Sequence, residues 1–167
     1  MQIRPEKEED KAAIQAVNEA AFETPAESRL VDALREQTSP IVSFVAEIGG
    51  AIIGHIMFSP VVLRAHPELK LMGLGPMAVL PRHQLRGIGS ELVRCGLEEC
   101  KELGFKAVVV LGHPEYYPRF GFKTAARFGI GCDYEVPEDV FMVIELEPGY
   151  LRGASGKIKY HAAFNNV

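Results

Sequence analysis

The sequence has 167 residues, of which 47% are hydrophobic and 24% charged, and its net charge is −4. This composition fits one domain with a buried core and excludes a disordered or fibrous chain. A mildly acidic chain without a basic stripe argues against a nucleic-acid partner. No apolar run approaches the roughly 20 residues of a membrane span, and the acidic N-terminus has no secretory core. We therefore expect a single cytoplasmic domain over residues 1–167, without a membrane partner.

The first half of the chain predicts a short strand, two helices and an antiparallel hairpin, at Ile3 and at residues 8–22, 26–35, 41–48 and 51–63. Apolar residues recur every three or four positions in both helices, and Pro25 separates the two helices. Gly49 and Gly50 are a tight-turn signal between two β-branched runs.

The second half predicts a strand, a helix, a strand, a helical turn and a last strand, at residues 69–79, 88–103, 106–111, 115–120 and 140–146. Gly73, Gly75 and Pro76 interrupt the first of these strands, which indicates a bulge or a close approach to the backbone. Residues 107–111 are all apolar, as in a strand covered on both faces. We expect a loop at 128–139 and a loose tail from about Arg152. The element order predicts a mixed α/β fold.

The three cysteines, Cys95, Cys100 and Cys132, form no CxxC pair. Their odd number and spacing predict neither a disulfide framework nor a zinc site, so we expect no metal. Cys95 and Cys100 fall within a helical pattern and are interpreted as small helix residues rather than nucleophiles.

The strongest chemical signal is the run Gln84-Leu85-Arg86-Gly87-Ile88-Gly89, where a strand gives way to a helix. The first N–H groups of a helix have no partner within it, and the helix dipole adds positive charge there. An anion such as phosphate is the natural guest, and glycine leaves the approach open. Arg86, Gln84 and the Ser90 hydroxyl would add hydrogen bonds. We call residues 84–90 the cradle.

Other glycine-rich phosphate sites fit the cradle poorly. A Walker A loop needs Lys after its second glycine, but Ser90 and Glu91 follow Gly89. A dinucleotide fingerprint needs a third glycine where Leu92 stands. Two glycines alone are equally consistent with a helix start that binds nothing, so the flanking residues decide.

Those flanking residues resemble the signature of the GNAT superfamily of N-acetyltransferases. Residues 77–92 show its apolar strand, its Pro and then Gln/Arg-x-x-Gly-x-Gly/Ala at a helix start, with Gln84, Gly87 and Gly89 at the fixed positions. About 30 residues later, Tyr-Tyr-Pro-Arg-Phe-Gly-Phe at 116–122 is similar to the family's later aromatic and Gly-Phe motif. The run from 112 to 122 resembles that of a bacterial subgroup of predicted N-acetyltransferases.

The resemblance implies a mostly antiparallel sheet, flanked by helices and splayed at an acetyl-CoA site. It implies that the donor's pyrophosphate lies on the backbone of residues 85–90. Its pantetheine arm would pair with main-chain groups of Met77, Ala78 and Val79, and Gly75-Pro76 would open the sheet for that arm. An N–H near Met77 would polarise the thioester carbonyl.

The resemblance also makes Tyr117 the general acid that protonates the departing thiolate, with simple packing beside the donor as the alternative. The family often has Asn where Gly112-His113 stands, which offers His113 as a proton acceptor, directly or through water; a structural loop role for His113 is equally open. The family's strand glutamate is missing, because residues 71–79 contain no acid. The general base therefore stays unassigned, with Glu115 and water among the candidates.

By the same resemblance, the acceptor is a primary amine held between residues 22–29 and 128–139. The second segment contains four acidic residues, Asp133, Glu135, Glu138 and Asp139. They would attract a cationic amine, or they are loop acids that only contact solvent. The acceptor is a small molecule or a peptide, and a homodimer is compatible with the sequence. A coenzyme-A-binding regulatory module without transferase activity, or a nucleotide-binding protein, stays open as an alternative.

Overall fold

The computed structural model of the chain describes residues 1–167, except for the side chain of Asn166. The described residues form strands β1 Gln2–Pro5, β2 Val42–Ile48, β3 Ala51–Leu63, β4 His66–Val79, β5 Ala107–Leu111, β6 Lys123–Thr124, β7 Ile130–Cys132, β8 Phe141–Glu145 and β9 Gly156–Lys159. The α-helices are α1 Lys11–Phe22, α2 Ala26–Gln37 and α3 Ile88–Glu102. Short 3₁₀ turns occupy Glu8–Asp10, Pro81–His83, Tyr117–Phe120, Ala125–Phe128, Glu138–Val140 and Ala162–Asn166.

The chain forms two compact units. The first contains Met1–Ser59, Gly75–Glu99 and Ala162–Val167. The second contains Pro60–Leu74 and Cys100–His161. Strands β3 and β4 and helix α3 each continue from one unit into the other along the chain.

The first unit begins with antiparallel strands. β1 pairs with β2, and β2 pairs with β3 in the predicted hairpin. Gly49 and Gly50 form its turn with φ of 56° and 83°, as a two-residue turn with two positive φ angles requires. Helices α1 and α2 pack together and contribute to an apolar cluster with the hairpin: Ile14, Leu30, Val31, Leu34, Val45 and Met57.

Two glycines allow close packing between β3 and α3 in the first unit. A Cβ on Gly96 of α3 would lie 2.1 Å from the Phe58 ring, and one on Gly54 of β3 would lie 3.2 Å from Leu92. Larger side chains would force the helix away from the strand. Because α3 lies this close to β3, the loop that precedes α3 has a defined position relative to β3.

The second unit contains the parallel strand pair of the predicted strand–helix–strand connection. β4 pairs in parallel with β5, from Leu71–Ala107 to Leu74–Val110, and α3 lies between them in the sequence. Residues 107–110 are all buried, so the prediction of a covered strand is confirmed. β8 is antiparallel to β5, and β6 is antiparallel to β8. The predicted mixed α/β fold with a mostly antiparallel sheet is therefore confirmed.

The C-terminal residues differ from the predicted loose tail. Strand β9 pairs antiparallel with Val62 and Leu63 and in parallel with β7, which itself lies inside the predicted 128–139 loop. Ile158 and Tyr160 are buried, whereas Lys157 and Lys159 are exposed. This alternation is the period-two pattern of a strand.

Candidate active site

The cradle lies where β4 ends and α3 begins, with the turn Pro81–His83 between them. Leu80 N–H donates to the Ile53 carbonyl at 2.9 Å, which fixes the end of β4 to β3. The Gln84 side chain donates to the Val79 carbonyl at 2.9 Å. In the structure Gln84 thus closes the loop, a contact that the sequence did not predict.

Two residues of the cradle have a backbone with positive φ. Leu85, fully exposed, has φ of 64°, and Gly87 has φ of 81°. A non-glycine residue with positive φ is uncommon and costs energy, so it often marks a binding loop. Successive residues of opposite φ can also turn neighbouring N–H groups towards one anion.

Helix α3 has its first intrahelical bond from Glu91 N–H to the Gly87 carbonyl, at 3.1 Å. The amides of Ile88 and Gly89 therefore precede the bonded part of the helix and have no carbonyl one turn earlier within it. A Cβ built on Gly87 would meet no described atom within 4 Å. The space beside Gly87, next to these amides, is therefore open, and the exposed Arg86 precedes it in sequence.

The strand before the cradle carries the predicted donor-pairing residues. Ala78 is buried, and Met77 and Val79 are half-buried. The parallel register of β4 with β5 runs to Leu74, and the next residue, Gly75, has φ of 149°. The backbone irregularity thus begins directly after the paired stretch, at the position where the sequence predicted the sheet to open.

Tyr117 lies in the second unit, at the first position of the turn Tyr117–Phe120. It is buried, with edge-on ring contacts to Tyr116 at 5.1 Å and to Phe122 at 5.6 Å. A Cβ on Gly112 would lie 2.3 Å from the Tyr117 ring, so this glycine makes room for the phenol. Burial, with a smaller contribution from Tyr116, raises the pKa of Tyr117 to about 12. The hydroxyl is protonated at neutral pH, as a proton donor must be.

His113 and Glu115 precede this turn, and both side chains are exposed. The His113 carbonyl accepts the N–H of Tyr116 at 3.1 Å and that of Tyr117 at 3.4 Å. The backbone of His113 therefore holds the start of the Tyr117 turn, which is the structural role left open by the sequence. Its imidazole is accessible to solvent and to small molecules.

Residues 11–122 match the model of the acetyltransferase (GNAT) family. The chain belongs to the GNAT family of acetyltransferases. It is 37% identical over 166 residues to a GNAT relative, the uncharacterized N-acetyltransferase YhbS of Escherichia coli K12, and the match covers 99% of each chain.

Two crystal structures of GNAT proteins resemble this one over nearly the whole chain. That of E. coli YhbS in complex with CoA has a TM-score of 0.92 at 36% identity, covering 98% of this chain and 91% of that chain. That of a GNAT acetyltransferase from Brucella melitensis in complex with acetyl-CoA has a TM-score of 0.81 at 38% identity, covering 98% and 97%.

The first unit of this GNAT chain also contains a buried hydrogen-bond chain that the sequence did not reveal. His55 of β3 is fully buried, with Nδ1 3.3 Å from the Asn18 amide nitrogen and Nε2 2.9 Å from the Ser43 hydroxyl. Ser43 donates to Glu6, and Arg35 donates twice to the same carboxylate, at 2.7 and 3.0 Å. We call Glu6, Asn18, Arg35, Ser43 and His55 the His55 network.

The hydrogen bonds assign a neutral His55. The Asn18 amide nitrogen donates to the Ile14 carbonyl and to His55 Nδ1, so the imidazole proton lies on Nε2 and is donated to Ser43. Burial lowers the pKa of His55 to about 4; Glu6 opposes this shift and Arg35 adds to it. Burial alone would raise the pKa of Glu6, but hydrogen bonds from Arg35 and Ser43 outweigh it and lower that pKa.

The two predicted acceptor segments are each ordered in their own unit. α1 ends at Phe22, and Glu23 follows it with φ of 63°. In the second unit, Asp133 is already paired with Arg64, which lowers its pKa, so this carboxylate is not free to attract an amine. Cys132 is buried, and burial raises the pKa of its thiol, as expected for an unreactive cysteine.

Within the part of the chain that the structure describes, no group of three or more His, Cys, Asp or Glu residues is placed to hold a metal ion. None of the described helices is both long and apolar enough to cross a membrane.

Proposed function

We propose that this GNAT protein transfers an acetyl group from acetyl-CoA to a primary amine of an acceptor that is a small molecule or a peptide. The observation that carries the proposal is the cradle, with Leu85 and Gly87 at positive φ directly before the start of α3, whose first bond is from Glu91 N–H to the Gly87 carbonyl. Two relatives have crystal structures in complex with CoA and acetyl-CoA, which supports the same donor here.

In this proposal the donor's pyrophosphate is held by the cradle, residues 84–90. The amides at the start of α3 supply hydrogen bonds and the positive end of the helix dipole. Arg86 is exposed and free to reach a phosphate oxygen. Gln84 acts indirectly, because its hydrogen bond to Val79 keeps the loop in shape.

Along β4, main-chain groups of Met77, Ala78 and Val79 pair with the pantetheine arm as an added strand would. In this proposal, β4 pairs with β5 only as far as Leu74, and the main chain beyond Gly75 pairs with the arm. The N–H near Met77 polarises the thioester carbonyl, which is worth about 2–4 kcal/mol when such a donor is well placed.

The acetyl transfer is a direct attack. The amine lone pair forms the new C–N bond at the thioester carbonyl, and the C–S bond breaks. Tyr117 gives its proton to the departing sulfur, and the nitrogen loses a proton to His113 or to water. Because burial raises the pKa of Tyr117 to about 12, the phenol keeps its proton at neutral pH until negative charge develops on the sulfur.

The test is release of free thiol from acetyl-CoA across a panel of primary amines, with acetylated product identified by mass. We expect steady thiol release that requires an amine. CoA binding without turnover on any amine would favour the regulatory module instead. Stabilisation by ATP but not by CoA would favour a nucleotide-binding protein and overturn the donor assignment.

A further inference from the structure

The C-terminal turn Ala162–Asn166 belongs to the first unit and packs against α2. Ala163 and Phe164 lie against the apolar cluster formed by α1, α2 and the hairpin. Phe164 is only half-buried, so one side of its ring is anchored on the cluster while part of it stays accessible. This placement gives the last residues of the chain a defined position.

The Phe164 ring also lies beside the bend in β4. A Cβ built on Gly75 would have Phe164 Cε1, at 4.0 Å, as its nearest neighbour. Gly75 has φ of 149°, a conformation that side-chain-bearing residues rarely adopt, so the strand has no side chain of its own at this point. Phe164 supplies the apolar surface there.

The proposed reacting carbonyl lies close to the same bend. Met77, whose N–H is assigned to the thioester, is two residues beyond Gly75, so their Cα atoms are at most about 7 Å apart. A ring beside Gly75 is within reach of the group that is attached to an attacking amine.

From this placement, which rests on the proposed function, we propose that Phe164 is a specificity-determining residue. Its ring forms an apolar wall that favours acceptors carrying a flat or aliphatic apolar group next to the primary amine. An aromatic wall gains free energy from such a group by burying apolar area and by edge-to-face contact. It gains nothing from a hydroxyl or a second charge at that place.

The experiment compares phenethylamine with ethanolamine as acceptors for the wild type, Phe164→Ala and Phe164→Leu. We expect the wild type to prefer phenethylamine in kcat/KM. Phe164→Ala should lower that preference at least about tenfold, through the KM for phenethylamine, with Phe164→Leu in between. The KM for acetyl-CoA should change less than about threefold. Asn165→Ala, at the neighbouring exposed position, is the matched control and should keep the wild-type preference.

Each outcome separates this proposal from the proposed function. If no amine of the wider panel promotes thiol release by the wild type, the proposed function fails and takes this inference with it. If amines are acetylated but the wild type prefers ethanolamine, or if Phe164→Ala leaves the preference unchanged, only the role of Phe164 is lost. An equal loss for both amines in Phe164→Ala and Phe164→Leu, with a lower melting temperature, would assign Phe164 to folding and overturn the proposal.

Discussion

The cradle and the Tyr117 turn are built by opposite means. The cradle is exposed from Gln84 to Gly87 and consists mainly of backbone, with Leu85 and Gly87 at positive φ before the start of α3. The Tyr117 turn is a buried side-chain arrangement, in which aromatic neighbours and Gly112 surround one phenol. The first is suited to an anion that needs many N–H donors, the second to one group with a shifted pKa.

This difference separates the two tasks that an acyl transfer requires. Backbone amides change little with pH, so the cradle should bind its donor over a wide pH range. A buried phenol adds nothing to phosphate binding but keeps its proton until negative charge develops beside it. Damage to the cradle should therefore appear in donor affinity, and damage to the Tyr117 turn in turnover.

The largest effect is expected for Tyr117→Phe. Removing the hydroxyl while keeping the ring packing should lower kcat by about 10²–10⁴, the usual contribution of a general acid. The KM for acetyl-CoA should change less than about threefold. Steady-state kinetics at saturating amine measures both. Tyr116→Phe is the control, because Tyr116 carries the same hydroxyl on the neighbouring, half-buried ring. Full activity of Tyr117→Phe would remove the acid assignment and leave Tyr117 a packing residue.

The next effect concerns the His55 network, which belongs to the same compact unit as the cradle. The pKa of His55, about 4, lies below its value of 6.5 in the unfolded chain. The unfolded chain therefore binds more protons between these two pH values. The free energy of unfolding should therefore fall as pH drops from 6.5 towards 4, by about 3 kcal/mol in total. The lowered pKa of Glu6 adds a further loss below pH 4.5.

Urea unfolding at several pH values measures this loss, with His55→Gln as the comparison. Glutamine cannot titrate, so the variant should be less stable at pH 7 but should lose less stability between pH 6.5 and 4. Parallel pH curves for the two proteins would mean that another group causes the acid sensitivity.

The same contrast explains what the sequence could predict. The cradle follows from local spacing, because Gly87, Gly89 and the preceding strand lie within a dozen residues. The pKa of Tyr117 depends on contacts such as that with Gly112, which spacing does not reveal. The partners in the His55 network are 12 to 37 positions apart, so only the fold brings them together.

The C-terminal residues are a different case. Their strand pattern is local in the sequence, but the glycine and serine content of the segment favoured a loose tail instead. Gly153, Ser155 and Gly156 suggested a loose tail, yet Ile158 and Tyr160 alternate with lysines as in a strand. A loose tail also gives no reason for the apolar Phe164 that follows these residues. In this chain, Phe164 packs against the apolar cluster of the first unit and ties the C-terminal turn to it.

A smaller effect is expected for Gly87→Val. A β-branched residue at φ of 81° is strained by about 1–2 kcal/mol, and its side chain would cover the amides of α3. The Kd for CoA, measured by calorimetry, should rise at least about tenfold while kcat at saturating donor changes little. Gly50→Val is the matched control, since Gly50 has φ of 83° and the same open space in a hairpin turn. It should lower stability but leave the Kd unchanged. Gly89→Val should also weaken binding, and unchanged affinity in both cradle variants would eliminate the cradle as the donor site.

The smallest effect is expected for His113→Ala. The imidazole is exposed and the backbone carbonyl, which the substitution keeps, holds the Tyr117 turn. Water can replace an exposed proton acceptor, so kcat/KM should fall by no more than about tenfold. Glu115→Gln, at the other exposed polar position before the turn, should leave kcat/KM unchanged. If Glu115→Gln lowers kcat/KM and His113→Ala does not, the proton acceptor is Glu115. If neither variant lowers it, the amine loses its proton to water alone.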